Sequence, residues 1–240
     1  MQGHFLAGVF KMTDDNEILS NDSAVLVEDS LMAFGAGMSL QSRTDVKNAF
    51  HFASLVASKL FDQERDSQAW YDQFLKVMQD CGWVTGRRSY VRESSSSTTV
   101  TVGAVAARVL GTAGKAALGG AIGEALGSLA QSAMDKLGLI QEEKKVFVRN
   151  KKGKGNGMVG LGACMETSEG EVVLAMCCVA TAAPEIDTDL LGIEWTLVSS
   201  EYYTGTAILS FNKTLYDRVR SHVEEKLGDR SISNVLEYDI

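Results

Sequence analysis

Two adjacent cysteines, Cys177 and Cys178, sit inside the most apolar stretch of the chain, EVVLAMCCVATA at 171–182. Neighbours along a strand face opposite sides of a sheet, so the two thiols point into different layers. Such a pair suits two roles: small hydrophobes that fill space, or a thiol in an apolar pocket where an acyl chain is attached or held. With Cys81 and Cys164 they make four cysteines, with no CxxC pair and no His at ligand spacing. That pattern suits free thiols in a reducing compartment and excludes a zinc site or a disulfide frame.

Other chemistry fails on spacing. GTAGKAALGG at 111–120 holds Gly114-Lys115, but Ala follows the Lys and the leading glycines are wrongly placed for a phosphate loop. GKGNG (153–157) and GLGAC (160–164) precede no helix whose N-terminus could receive phosphate. Asp187 and Asp189 begin like a calcium loop that lacks its remaining ligands and central Gly. His4, His51 and His222 are isolated, and no GxSxG, HExxH or paired-carboxylate context occurs. The expectation is a protein without catalysis, metal or cofactor, a fatty acyl chain being the one candidate ligand.

One basic cluster stands out: Lys144, Lys145, Arg149, Lys151, Lys152 and Lys154. It reads as a solvated turn or as a contact for anionic lipid headgroups. The net charge of −8 argues against a general nucleic-acid binder, which needs Lys and Arg over a broad face.

The element that must position these residues is Gly103 to Gly138, rich in Gly and Ala and helical in period. Leu118, Ile122, Leu126, Leu129, Ala133 and Leu137 form one stripe. Beside it Gly119, Gly123 and Gly127 make a small-xxx-small ladder that admits another backbone at close range. A Gly costs about 1 kcal/mol against Ala inside a helix, so these glycines need a reason. Arg108, Lys115, Glu124, Asp135 and Lys136 interrupt the run, so it is no constitutive transmembrane span. Gly111 and Gly114 are expected to divide it into a hairpin, 104–113 and 116–137, whose Gly and Ala leave room opposite the Cys177-Cys178 strand.

Around this run the pattern predicts strands at Phe5–Phe10 and Ala24–Val27, then a helix from an Asp45 cap to Leu60. A second helix runs from Asp66 or Ser67 to Cys81, and Gly82 closes it. Trp83–Arg92 and Thr98–Val102 read as strands about a Ser94–Ser97 turn. Further strands are expected at Lys145–Asn150, Met158–Glu166, Glu171–Ala182, Glu194–Ser200 and Thr204–Asn212. A helix over Leu215–Leu227, closed by Gly228, precedes a short docking helix in SISNVLEYDI (231–240). The fold class expected is α+β: a single domain, 1–240, with an antiparallel sheet wrapped by helical hairpins. Its organisation repeats weakly in halves of about 45–102 and 103–228, each an αα-β unit. The N-terminal stretch shows no secretory signal, so synthesis in the cytoplasm is expected, with release or membrane association afterwards.

The run from Val100 through the Gly/Ala hairpin, KVFVRN, GMVGLGACMETSEGEVVLAMCCVATA and IEWTLVSSEYYTGTAILSFN resembles the cytolytic Cyt δ-endotoxins. It is similar also to the Erwinia virulence factor, built from two intertwined α/β motifs and carrying palmitate on a cysteine. The resemblance is one of element order and strand texture over roughly 45–215. It implies a membrane- or lipid-interacting toxin or virulence factor, water-soluble at first, able to form homo-oligomers on membranes, and not an enzyme. The alternative is a soluble acyl-chain-binding or protein-interaction module without lytic activity. No signature residue carries over; Cys177, Cys178, Gly119, Gly123 and Gly127 are the lipid-site candidates.

Overall fold

The computed structural model describes residues 22–27, 30–63, 65–94, 102–139, 158–181 and 201–236. Six strands form one sheet: β1 (Ser23–Val27), β2 (Ser30–Phe34), β3 (Trp83–Ser94), β4 (Met158–Glu166), β5 (Val172–Thr181) and β6 (Glu201–Phe211). Their spatial order is β1-β2-β4-β5-β6-β3. Five helices accompany them: α1 (Leu40–Leu60), α2 (Ser67–Asp80), α3 (Val102–Leu118), α4 (Gly120–Leu139) and α5 (Lys213–Leu236). The α+β class is as expected. The sheet is antiparallel at every pairing but one, β2 with β4, which run parallel. The reason is the long connection: two helical hairpins intervene between these strands, so no tight turn dictates their direction.

The strand β5 lies between β4 and β6 and is buried on both faces, as its apolar run requires. Alternate residues feed two cores. Leu174, Met176 and Cys178 face α1, α2 and α5, while Val173, Ala175 and Cys177 face α3 and α4. On the first face Phe50 and Phe74 meet edge to face at 4.9 Å, and Trp70 stacks on Phe74 at 5.4 Å. Trp70 Nε1 donates to Ser58 Oγ at 3.0 Å, so the αα pair carries its own polar tie. Gly82, with φ +83, closes α2 in the left-handed region, as its position predicts.

Several expectations are corrected. The first helix starts at Leu40, not Asp45: Ser39 is its cap, with its Oγ accepting from the Ser42 amide at 3.0 Å. Asp45 lies inside α1, fully buried, where Arg220 of α5 grips it through Nε at 2.8 Å and Nη2 at 2.6 Å. Gln41 adds a third bond at 2.7 Å. A polar residue ahead of an apolar stripe imitates a cap in sequence, and only the partner from a distant helix reveals the ion pair. Val102 opens α3 and ends no strand, and Ser94 ends β3. Gly228 is helical, and α5 runs through it to Leu236 in place of a separate docking helix at 231–236. The short strand β2 has no counterpart among the expected strands, because SLMAF is apolar after Ser30 and shows no alternation. Phe5–Phe10, Lys145–Asn150, Glu194–Ser200 and residues 98–101 lie outside the described residues. So does the whole basic cluster of Lys144, Lys145, Arg149, Lys151, Lys152 and Lys154.

Candidate functional site

The Gly/Ala run folds as a helical hairpin broken at Gly119, not at Gly111–Gly114. Gly119 has φ +90, a backbone state that other residues rarely adopt, and it is the single residue between α3 and α4. Gly111 and Gly114 stay helical because they have another task. A Cβ on Gly123 would collide with the Lys115 backbone nitrogen and come within 2.5 Å of Gly114 C and Lys115 Cα. A Cβ on Gly127 would stand 3.2 Å from Gly111 Cα. The two helices therefore cross glycine on glycine, Gly114 with Gly123 and Gly111 with Gly127. The close-contact role expected of Gly123 and Gly127 holds, while Gly119 is the turn.

The hairpin's other side is apolar. Val105, Ala106 and Leu110 of α3, with Leu126, Leu129, Ala130 and Ala133 of α4, are buried against Leu161, Val173, Ala175, Cys177 and Ile208 of the sheet. Residues 122, 126, 129 and 133 keep the stripe read from the sequence; Leu118 belongs to the end of α3. Because the glycines point at the partner helix, the room they leave is taken by backbone and not by a cysteine. Ala121 and Ala125 are exposed. The expected pocket of hairpin glycines and alanines over Cys177 is thus absent from this arrangement. Along the crossing lies an open groove of about 600 Å3, lined by Arg108, Lys115, Glu124 and Ser128 among others. Lys115 Nζ pairs there with Glu124 at 3.1 Å.

The two thiols separate as strand geometry demands. Cys177 is fully buried under α3 and α4; its thiol donates weakly to the Cys178 carbonyl at 3.8 Å. Burial, with the neighbouring Cys178 and Glu93 adding to it, raises its pKa well above the ordinary thiol value. Cys178 faces α2. Its register partners are Gly160 on β4 and Gly205 on β6. A Cβ on Gly205 would stand 2.6 Å from Cys178 Sγ and 3.0 Å from Tyr71 Cε2, so sulfur and ring occupy the space the glycine leaves. Burial pushes this thiol up to about 12, against the lowering effect of hydrogen bonds from the backbone, Gly205 first. Cys81 is likewise held up to about 12 by burial. Neither thiol of the central strand is a ready nucleophile in the closed fold.

A polar strip crosses the hairpin face where β3 meets β6. Ser89 and Thr206 share a hydroxyl hydrogen bond of 2.5 Å. Next along, Glu93 accepts from Thr204 Oγ1 at 2.8 Å and from Tyr202 OH at 3.0 Å, and Arg108 Nη2 of α3 stands 3.7 Å from the same carboxylate. Sequence reading missed this set. Its trace was Tyr202, Thr204 and Thr206 at every second residue of YYTGT, the alternation of a strand with one polar face. Gly160 and Gly205 were missed too, though a glycine inside a strand marks close approach of another group.

Among the described residues no group of three His, Cys, Asp or Glu could hold a metal. No described helix is long and apolar enough to cross a membrane. No family model matches the sequence, and no curated protein matches it. In shape the chain is similar to the Evf virulence factor, with 12% identity over 86% of this chain and 85% of that one, at a TM-score of 0.34. It is similar also to a delta-endotoxin, with 8% identity over 88% of this chain and 89% of that one, at a TM-score of 0.37.

Proposed function

We propose that this is a lipid-interacting protein of the toxin or virulence-factor kind, folded first in a water-soluble form that then associates with membranes. The observation that carries the reading is the construction of the α3–α4 hairpin. Its internal contact is glycine on glycine and needs nothing from the sheet. Its other face is a row of Val, Ala and Leu whose present partner is the sheet. Such a unit can exchange one apolar partner for another and keep its own crossing, the way small-residue contacts hold helices together in lipid. Each helix is amphipathic and too polar to span unaided, so the membrane-bound form is a hairpin lying in the interface, its apolar side in the acyl region. Basic residues at 144–154 follow α4 in the chain and would add attraction to anionic headgroups.

Vesicle flotation and dye release test this. The expected outcome is binding to anionic vesicles at low ionic strength, with little to neutral ones. Absence of both binding and leakage at low salt would overturn the reading. An acyl chain on Cys177 or Cys178 enters only as a modification made before the sheet closes over the thiols. Intact mass of the natively expressed protein, before and after hydroxylamine, decides it.

A further inference from the structure

The two charged side chains of α3 have different partners. Lys115 reaches across to Glu124 on α4, inside the hairpin, whereas Arg108 reaches out of it to Glu93 on β3. We propose that Glu93 is the receiving half of a clasp that seats the α3–α4 hairpin on the sheet, with Arg108 as the hairpin's half. If the hairpin is the membrane-seeking unit described above, this clasp is an autoinhibitory contact, and that part of the inference rests on the proposed function.

Two hydroxyls, Tyr202 OH and Thr204 Oγ1, donate to one carboxylate, and the Arg108 guanidinium stands beside it as an ion-pair partner. Tyr202 and Thr204 are almost wholly buried, at 3% and 1% exposure, so their hydroxyls need a fixed acceptor, and Glu93 supplies it. Those two bonds hold the Glu93 side chain across β3 and β6, and the negative charge is thereby presented to the helix above. Each hydroxyl takes its own carboxylate oxygen, Thr204 on Oε1 and Tyr202 on Oε2, and the charge the two oxygens share is what Arg108 meets. The apolar contact of the hairpin with the sheet is non-directional, and the clasp adds a directional tie to it. Being half in water, the ion pair adds a small increment that a competing anion can remove, as a headgroup phosphate approaching the exposed Arg108 would.

The test is amide hydrogen exchange on the full chain without lipid, comparing Glu93→Gln, Arg108→Gln and the double variant with the parent. Gln at 93 keeps one carbonyl acceptor and offers its amide N–H to the oxygen of the other hydroxyl, so the backbone pairing of β3 with β6 survives, while Arg108→Gln removes the ion pair and leaves both hydroxyl bonds in place. Exchange of the 126–133 amides is expected to quicken about two- to fivefold in each single variant, the range of an exposed pair, with α1 and α2 unchanged. The double variant should then exchange no faster than Glu93→Gln alone. Unchanged exchange, equal quickening in every element, or additive effects of the two substitutions would each overturn the clasp. Anionic vesicles of phosphatidylglycerol form a second arm, in which Glu93→Gln is expected to bind about two- to fivefold more tightly. Should neither parent nor variant bind while exchange behaves as expected, the clasp stands and the membrane reading falls.

Discussion

Substituting alanine for glycine, one position at a time, interrogates the α3–α4 crossing. In open helix Gly→Ala stabilises by about 0.5–1 kcal/mol, because the unfolded chain loses freedom and the helix gains a better former. A methyl group placed on Gly228 in α5 would have nothing within 4 Å, so Gly228→Ala should show that full gain. Gly111→Ala meets Gly127 Cα at 3.9 Å, an ordinary contact, and should gain as well. Gly127→Ala brings its methyl to 3.2 Å from Gly111 Cα, a few tenths too close, and the gain and the strain should roughly cancel. Gly123→Ala drives a methyl into the backbone of Gly114 and Lys115, atoms that no side-chain rotation can remove. Overpacking costs about 1–3 kcal/mol, which outweighs the propensity gain. For a chain of this size 1 kcal/mol moves Tm by about 2–4 °C. Thermal melts by circular dichroism should therefore rank Gly228→Ala and Gly111→Ala above the parent, Gly127→Ala beside it, and Gly123→Ala below. Equal melting of Gly123→Ala and Gly228→Ala would refute the glycine-on-glycine crossing, and with it the autonomy of the hairpin.

Three further outcomes follow from the same geometry. Arg220→Ala strands the fully buried Asp45 and should cost about 3–5 kcal/mol, whereas Asp45→Asn leaves a quarter-exposed Arg220 that can turn to water and should cost less; urea denaturation of both checks the order. Gly205→Ala crowds Cys178 and Tyr71 and should cost about 1–3 kcal/mol, much of it recovered in a Gly205→Ala/Cys178→Ala double variant; strictly additive losses would contradict the contact. Burial raises the Cys81 and Cys178 thiols from 9.0 to about 12, so below pH 9 both folded and unfolded chains keep these protons. Between pH 9 and 12 the unfolded chain gives them up while the native chain holds them, and stability falls by roughly 1.4 kcal/mol per pH unit for each thiol. A Cys81→Ala/Cys178→Ala variant should show a shallower loss between about pH 9 and 10.5 in urea titrations, and an identical slope would refute thiol burial as its cause.

What could be read from the chain was whatever is written in local period and punctuation. Met158–Glu166 is β4 to the residue, because its small and apolar residues are framed in sequence by the Gly-rich run at 153–157 and by the turn at Thr167–Gly170. The apolar run at 171–182 had to be a central strand, since no half-exposed position exists for its residues, and adjacent cysteines in it had to part to opposite faces. Gly82 announced a helix end, and the Gly/Ala run announced close helix packing. Tertiary structure alone decided which glycine turns and which ones pack: Gly111, Gly114, Gly119, Gly123 and Gly127 are chemically identical, and only the approach of the second helix tells a left-handed turn from a crossing point. It also decided the partners of charges far apart in the chain. Asp45 finds Arg220 and Glu93 finds Arg108 and Tyr202 because the sheet and its two helical layers bring them within hydrogen-bond or ion-pair range, a distance that no local period encodes.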